Sequence, residues 1–142
     1  MPDETFPIPS RYVFVYGTLR RGGSNDITQL TPRAKFVGEA TVCGSLYDLG
    51  AYPGVALHLK DTSEAGDLPV HGEVYAISAD LEARLDVIEG LLPEPNGEYI
   101  KRQIAVVVKG ESLQCLIYEI NPDHLLSAPL IAHGDWMLGR RH

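Results

Sequence analysis

Three short stretches of this chain combine residue types that chemistry uses. They are a glutamate closing an amphipathic segment, a strand-like run ending in Tyr16, Gly17, Thr18 and Leu19, and the pair Tyr99 and Arg102. The glutamate is Glu89. Leu81, Leu85 and Ile88 recur at helical spacing, and at about 100° per residue Glu89 falls roughly 70 to 80° from the centre of their apolar stripe. It therefore borders the buried face, whereas Asp86 points roughly 130° away and is expected to be more nearly solvated. A carboxylate in the last turn lies beside the negative end of the helix dipole, and partial burial there raises its pKa. Such a pKa suits a group that takes up a proton and returns it. Helix geometry alone also allows, and favours, a border residue that only covers the core with its methylenes.

At the second stretch, a glycine directly after a buried strand lets the backbone approach a ligand, and successive amide N–H groups can form a nest for an anion such as a carboxylate. Taken by themselves, four such residues favour an ordinary tight turn. At the third, two-residue alternation puts Arg102 on one face with Ile100, Ile104 and Val106, and Tyr99 on the other with Lys101. An arginine on an apolar face calls for an anionic partner, unless its stem carries the charge to solvent.

Other chemistries find little support. The five histidines, His58, His71, His124, His133 and His142, lack metal-ligand spacing, and neither Cys43 nor Cys115 belongs to a CxxC or Cys/His cluster, so no metal is expected. Gly22 and Gly23 lack the lysine or the GxGxxG spacing of a nucleotide loop, and Ser24 and Ser45 have no triad partners. No cofactor is expected.

Short elements must position these groups. Residues 12–16, YVFVY, read as a strand that feeds straight into the Gly17 turn. Residues 20–31 read as a loop or one short helix before Pro32. From Lys35 to Leu59 three β-like pieces, KFVGEA, TVCGSLYDL and VALHL, are separated by Gly and Pro and predict an antiparallel meander. The polar stretch 60–69 reads as an exposed loop, and VHGEVYAI, 70–77, as a further strand. Ser78 suits an N-cap, Asp80 and Glu82 suit a first turn, and Gly90 ends the pattern, so one helix is predicted over 79–89. YIKRQIAVVV and SLQCLIYEI then read as a hairpin turning at Lys109, Gly110 and Glu111. The tail, with Pro122, Pro129 and Gly134–Asp135–Trp136, predicts only a short helix or loop. The sum is an α+β domain, mostly antiparallel sheet, with one clear helix.

With 142 residues, 44% of them hydrophobic and 22% charged, the chain can bury one core, and a single domain over 1–142 is expected. Nineteen acidic against 12 basic residues give a formal charge of −7 with no basic stripe, which argues against a nucleic-acid partner. No apolar run approaches the roughly 20 residues that span a bilayer, and Met1–Ser10 is acidic and Pro-rich, so a cytoplasmic protein with no membrane partner is expected. Both cysteines sit in apolar strand-like runs and are expected to be buried reduced thiols.

YVFVYGTLRRGGSN at 12–25, GSLYDLGAYPGV at 44–55, VHGEVYAI at 70–77, LDVIEG at 85–90, and Tyr99 with Arg102 together resemble the γ-glutamylcyclotransferase-like, or AIG2-like, family. The likeness runs over about residues 12–120, and YGTL followed about 70 residues later by LDxxEG and then YxxR is its specific part. The resemblance implies a small, mostly antiparallel β-barrel with a few flanking helices and a cavity beside the YGTL loop. It further implies an enzyme that releases an amine, amino acid or peptide from a γ-glutamyl group as 5-oxoproline, without cofactor or obligate protein partner. In the family the loop backbone holds the γ-glutamyl end, which maps to Tyr16, Gly17, Thr18 and Leu19. The glutamate of LDxxEG is the acid/base and maps to Glu89, while Tyr99 and Arg102 map to residues that shape or support the pocket. Many bacterial relatives carry Asn followed by His or a similar polar pair after the loop, where this chain has Ser24, Asn25, Asp26 and Ile27. A non-catalytic module holding a small acidic ligand in the same cavity is the alternative; a buried acid facing an anion nest counts against it.

Overall fold

The computed structural model describes residues 11–57, 68–91, 94, 96–124, 128–131 and 133–139. Six strands form one sheet: β1 (Arg11–Val15), β2 (Lys35–Asp48), β3 (Pro53–Leu57), β4 (Leu68–Ile77), β5 (Tyr99–Val108) and β6 (Glu111–Ile120). Two α-helices accompany it, α1 (Ala79–Ile88) and the short α2 (Trp136–Gly139). The strand order is β3-β2-β4-β1-β6-β5, and every pairing is antiparallel except that of β1 with β6. That single parallel pair brings the C-terminal ends of β1 and β6 to the same end of the sheet.

The sheet curls into a half-barrel, an α+β fold of mostly antiparallel strands with a flanking helix. Its curvature brings β3 across β6, where a Cβ on Gly54 would lie 2.7 Å from Ile120, and brings β2 against β5, where one on Gly38 would lie 2.7 Å from Val108. β1 supplies both faces by alternation. Phe14 joins Val42, Leu46, Val74, Val106 and Ile117 inside the curl. Val13 and Val15 face outward, against Ile77, Leu81 and Leu85, where α1 lies. Leu81 and Leu85 are fully buried, and each such side chain contributes about 1.5–3 kcal/mol to burial.

Local chemistry accounts for the boundaries of α1. Ser78 Oγ accepts the N–H of Leu81 at 3.2 Å, which satisfies one free donor of the first turn. At the other end Gly90 has φ +82°, its N–H reaches the Val87 carbonyl at 3.1 Å, and the Leu91 N–H reaches that of Asp86 at 2.7 Å. Those two bonds and a left-handed glycine make a Schellman stop. Glu89 is therefore the cap, one residue beyond the last helical position. Lys109 and Gly110, both at positive φ, form a two-residue turn between Val108 and Glu111, as the hairpin spacing predicts.

Several expectations need correction. KFVGEA and TVCGSLYD are one 14-residue strand, because Gly38 and Gly44 serve close approach and do not break it; a Cβ on Gly44 would lie 2.8 Å from the Ala56 carbonyl. Leu68 and Pro69 belong to β4, while 60–67 of the expected loop lie outside the described residues, as do Met1–Ser10, His58 and His142. Cys115 is buried, but Cys43 is exposed, since Val42 and Leu46 take the inward positions of β2. The tail is more ordered than its sequence suggests. Leu130 bridges Tyr47, the Ile131 N–H bonds the Leu46 carbonyl at 2.7 Å, and Trp136 is buried in the inner core. No helix among the described residues is long and apolar enough to cross a membrane.

Candidate active site

The ends of five elements converge on one cavity of about 310 Å³. Phe14, Tyr16, Gly17, Leu19, Pro53 and Tyr118, all buried, form its floor. Glu89 and Ile88 come from the end of α1, Tyr52 from the turn before β3, and Glu98 and Tyr99 from the entry to β5. Ser24, Asn25, Ala51 and Asn96 are exposed and mark the mouth.

The loop at 17–19 offers donors to this space. Gly17, Thr18 and Leu19 all line the cavity, and among the described residues their amide N–H groups donate to no acceptor. Their carbonyls are occupied instead: Gly17 accepts from Arg20 at 3.0 Å, Thr18 from Asn25 at 2.9 Å and Leu19 from Ile27 at 2.9 Å. The turn is thus fixed from its acceptor side and leaves donors over, an arrangement suited to an anion. Gly17 is required by its neighbour, since a Cβ there would lie 2.6 Å from Pro53 Cγ.

Glu89 reaches the same space from the helix cap, and its carboxylate makes no hydrogen bond to a described residue. Burial, and then the negative charge of Glu98, push its pKa up to about 7. Phenols surround the acid. Tyr16 donates to the Tyr118 carbonyl at 2.6 Å, Tyr99 to the Pro53 carbonyl at 2.6 Å, and Tyr118 to Asp86 Oδ1 at 2.7 Å. Burial raises the pKa of all three, and the charge of Glu89 adds to the effect. They remain neutral, so Glu89 is the group of this wall that titrates near neutrality.

Arg102 takes another place. It does not line the cavity; Nε donates to Glu119 Oε1 at 2.6 Å, and Glu119 Oε2 accepts the Leu57 N–H at 2.9 Å. The pair ties β5 and β6 to β3 and so supports the curl behind Pro53. Asp86 differs from the solvated residue expected from the helical wheel. Its side chain is only 14% exposed, because β5 and β6 cover that flank of α1, and it accepts from Lys101 Nζ at 3.0 Å as well as from Tyr118.

Sequence reasoning missed two groups. Glu98, which accepts from Tyr52 Oη at 2.5 Å, precedes Tyr99 directly, and only its position between the Gly97 turn and that tyrosine could have marked it. The other is the anchor of the loop. Arg20 Nε donates to Glu73 at 3.1 Å and Nη1 to Asp135 at 2.8 Å, while the Arg21 N–H and Tyr75 Oη also reach Glu73. Among the described residues no group of three or more His, Cys, Asp or Glu side chains could hold a metal ion.

Comparison with known proteins adds sequence evidence to this geometry. The family model described as "Gamma-glutamyl cyclotransferase, AIG2-like" matches residues 13–138. A Vibrio cholerae protein provisionally named gamma-glutamylcyclotransferase is 35% identical, over 87% of this chain and 93% of its own. The gamma-glutamylcyclotransferase family protein YtfP of Escherichia coli K12 is 34% identical over 88% and 95%. An AIG2-like protein from Mus musculus has a crystal structure that superposes with a TM-score of 0.68 at 26% identity, covering 89% of this chain and 87% of that one.

Proposed function

The chain belongs to the γ-glutamyl cyclotransferase, AIG2-like family, and on that premise we propose that its cavity cyclises γ-glutamyl amides to 5-oxoproline with Glu89 as acid/base. The observation that carries the proposal is the meeting, in one cavity, of a carboxyl group that bonds no described residue and whose pKa is about 7 with a turn whose amides donate to no described acceptor. The first can move a proton near neutrality, and the second can hold negative charge.

The substrate's α-carboxylate and γ-carbonyl lie toward the Gly17–Leu19 amides, and its α-ammonium hydrogen-bonds to Glu89. Glu89 takes one proton and frees the amine. The amine attacks the γ-carbonyl carbon, a C–N bond forms, and the oxyanion is met by amide N–H groups. As the carbonyl re-forms, the bond to the leaving nitrogen breaks. The surplus proton of the ring nitrogen and the proton held by Glu89 pass to that nitrogen, which departs as an ammonium. Attack within one positioned molecule needs little beyond orientation, because effective molarities for such closures are high.

The test is a coupled assay for 5-oxoproline across a panel of γ-glutamyl amines and dipeptides, with Glu89→Gln beside the wild type. Release that disappears in the variant supports the proposal. Wild-type silence over the whole panel, or undiminished release by the variant, would overturn it.

A further inference from the structure

Glu98 lines the cavity next to Asn96, one of the exposed residues at its mouth, and three groups hold it there. Tyr52 Oη donates to its carboxylate, its N–H reaches Asn96 Oδ1 at 2.9 Å, and its carbonyl accepts from the Asn121 N–H at 2.8 Å. Of the described residues that line the cavity, two are glutamates and none is lysine, arginine or histidine. The γ-glutamyl end can place its own carboxylate on the loop amides and its own ammonium on Glu89. Among the described residues that line the cavity no cation then answers a negative charge on the leaving group, whereas a positive one meets a carboxylate already fixed in place.

We infer that Glu98, held by Tyr52 at the mouth of the cavity, is a specificity-determining residue that selects γ-glutamyl amides whose leaving amine carries a further positive charge and disfavours those carrying a carboxylate. The inference rests on the cyclotransferase reading above and adds the class of leaving group. Like charges brought together in a partly desolvated site are disfavoured, and opposite charges are favoured, on a scale that decides between substrates. Tyr52 gives the carboxylate a fixed direction, so that little ordering is left for the substrate to impose.

Three γ-glutamyl amides with the same four-carbon chain separate the charges: those of 1,4-diaminobutane, butylamine and 4-aminobutyrate. The expected order of kcat/KM for the wild type is cation above neutral above anion, with steps on the order of tenfold. Glu98→Gln is expected to flatten that order while still releasing 5-oxoproline from the butylamide. Comparable wild-type values for all three would overturn the inference and leave the cyclotransferase reading standing. So would an unchanged order in Glu98→Gln, which would assign the preference to the overall negative charge of the chain. No release from any of the three by the wild type would overturn both.

Discussion

In the proposed cyclisation Glu89 is the residue on which the chemistry turns, and its protonation has consequences for activity and for stability. General acid/base groups contribute about 10²–10⁴-fold, so Glu89→Gln is expected to lower kcat by that order while far-UV circular dichroism stays native. Its effect on stability has the opposite sign. Folded Glu89 keeps its proton up to about pH 7, whereas an ordinary glutamate releases it near 4.5, so the folded state binds more protons between those values. The stability this contributes is complete below pH 4.5 and is lost as pH rises through 7. Thermal melts should therefore show Glu89→Gln gaining on the wild type as pH rises from 4.5 to 8, by roughly 7–14 °C. The charge of Glu98 helps hold the Glu89 proton, and Glu98→Gln should move the acid limb of the kcat/KM profile to lower pH. An unmoved limb would show that burial alone sets it. Helical spacing and a following glycine place Glu89 at a border in the sequence, and the family resemblance is what singles it out there. Glu98 was not legible in the sequence, because its importance comes from Tyr52, 46 residues away along the chain.

At the scale of elements, the end of α1 and the turn after β1 do most of the positioning. Gly90 stops the helix so that Glu89 becomes its cap, and a Cβ on that glycine would lie 2.3 Å from Asn96 Nδ2 at a φ of +82°. Gly90→Ala is expected to cost about 1–3 kcal/mol in denaturant unfolding and to lower kcat by shifting Glu89 and Asn96 together. A variant with wild-type stability and rate would contradict that role. The helix, its Ser78 cap and the β5–β6 hairpin were readable from local pattern, because capping, apolar spacing and turn chemistry all act within a few residues. β2 was misjudged at Gly38 and Gly44, since a glycine that admits a neighbouring strand looks the same in sequence as one that ends a strand. Asp86 was misplaced for a similar reason. A helical wheel anticipates one buried face, and α1 has a second flank under β5 and β6.

At the scale of the molecule, curling the sheet is what gathers distant segments into a site. The parallel pairing of β1 with β6 places Tyr16 beside Tyr118, and the passage of β3 over β6 brings Pro53 within reach of Tyr99. The tail completes the wall that anchors the loop, through Asp135 and Arg20, although little in its composition announces that role. Antiparallel strands were readable from the Gly- and Pro-punctuated β-like runs and a barrel was implied by the family resemblance, whereas the pairing order is set by contacts that no local pattern records. The two thiols report on this packing. Cys43 is exposed and should be alkylated quickly in the native protein. Cys115, buried and with its pKa pushed up to about 11 by burial, should react only through global unfolding. Rapid native labelling of both would contradict the packing described. The most direct test of the central claim is the pH dependence of kcat/KM for 5-oxoproline release from γ-glutamyl butylamide, measured beside a direct titration of the Glu89 carboxyl. The expected result is an acid limb near pH 7 that coincides with that titration and is absent, with most of the rate, in Glu89→Gln. A limb that persists in Glu89→Gln, or a Glu89 that titrates as an ordinary surface carboxylate while turnover continues, would contradict it.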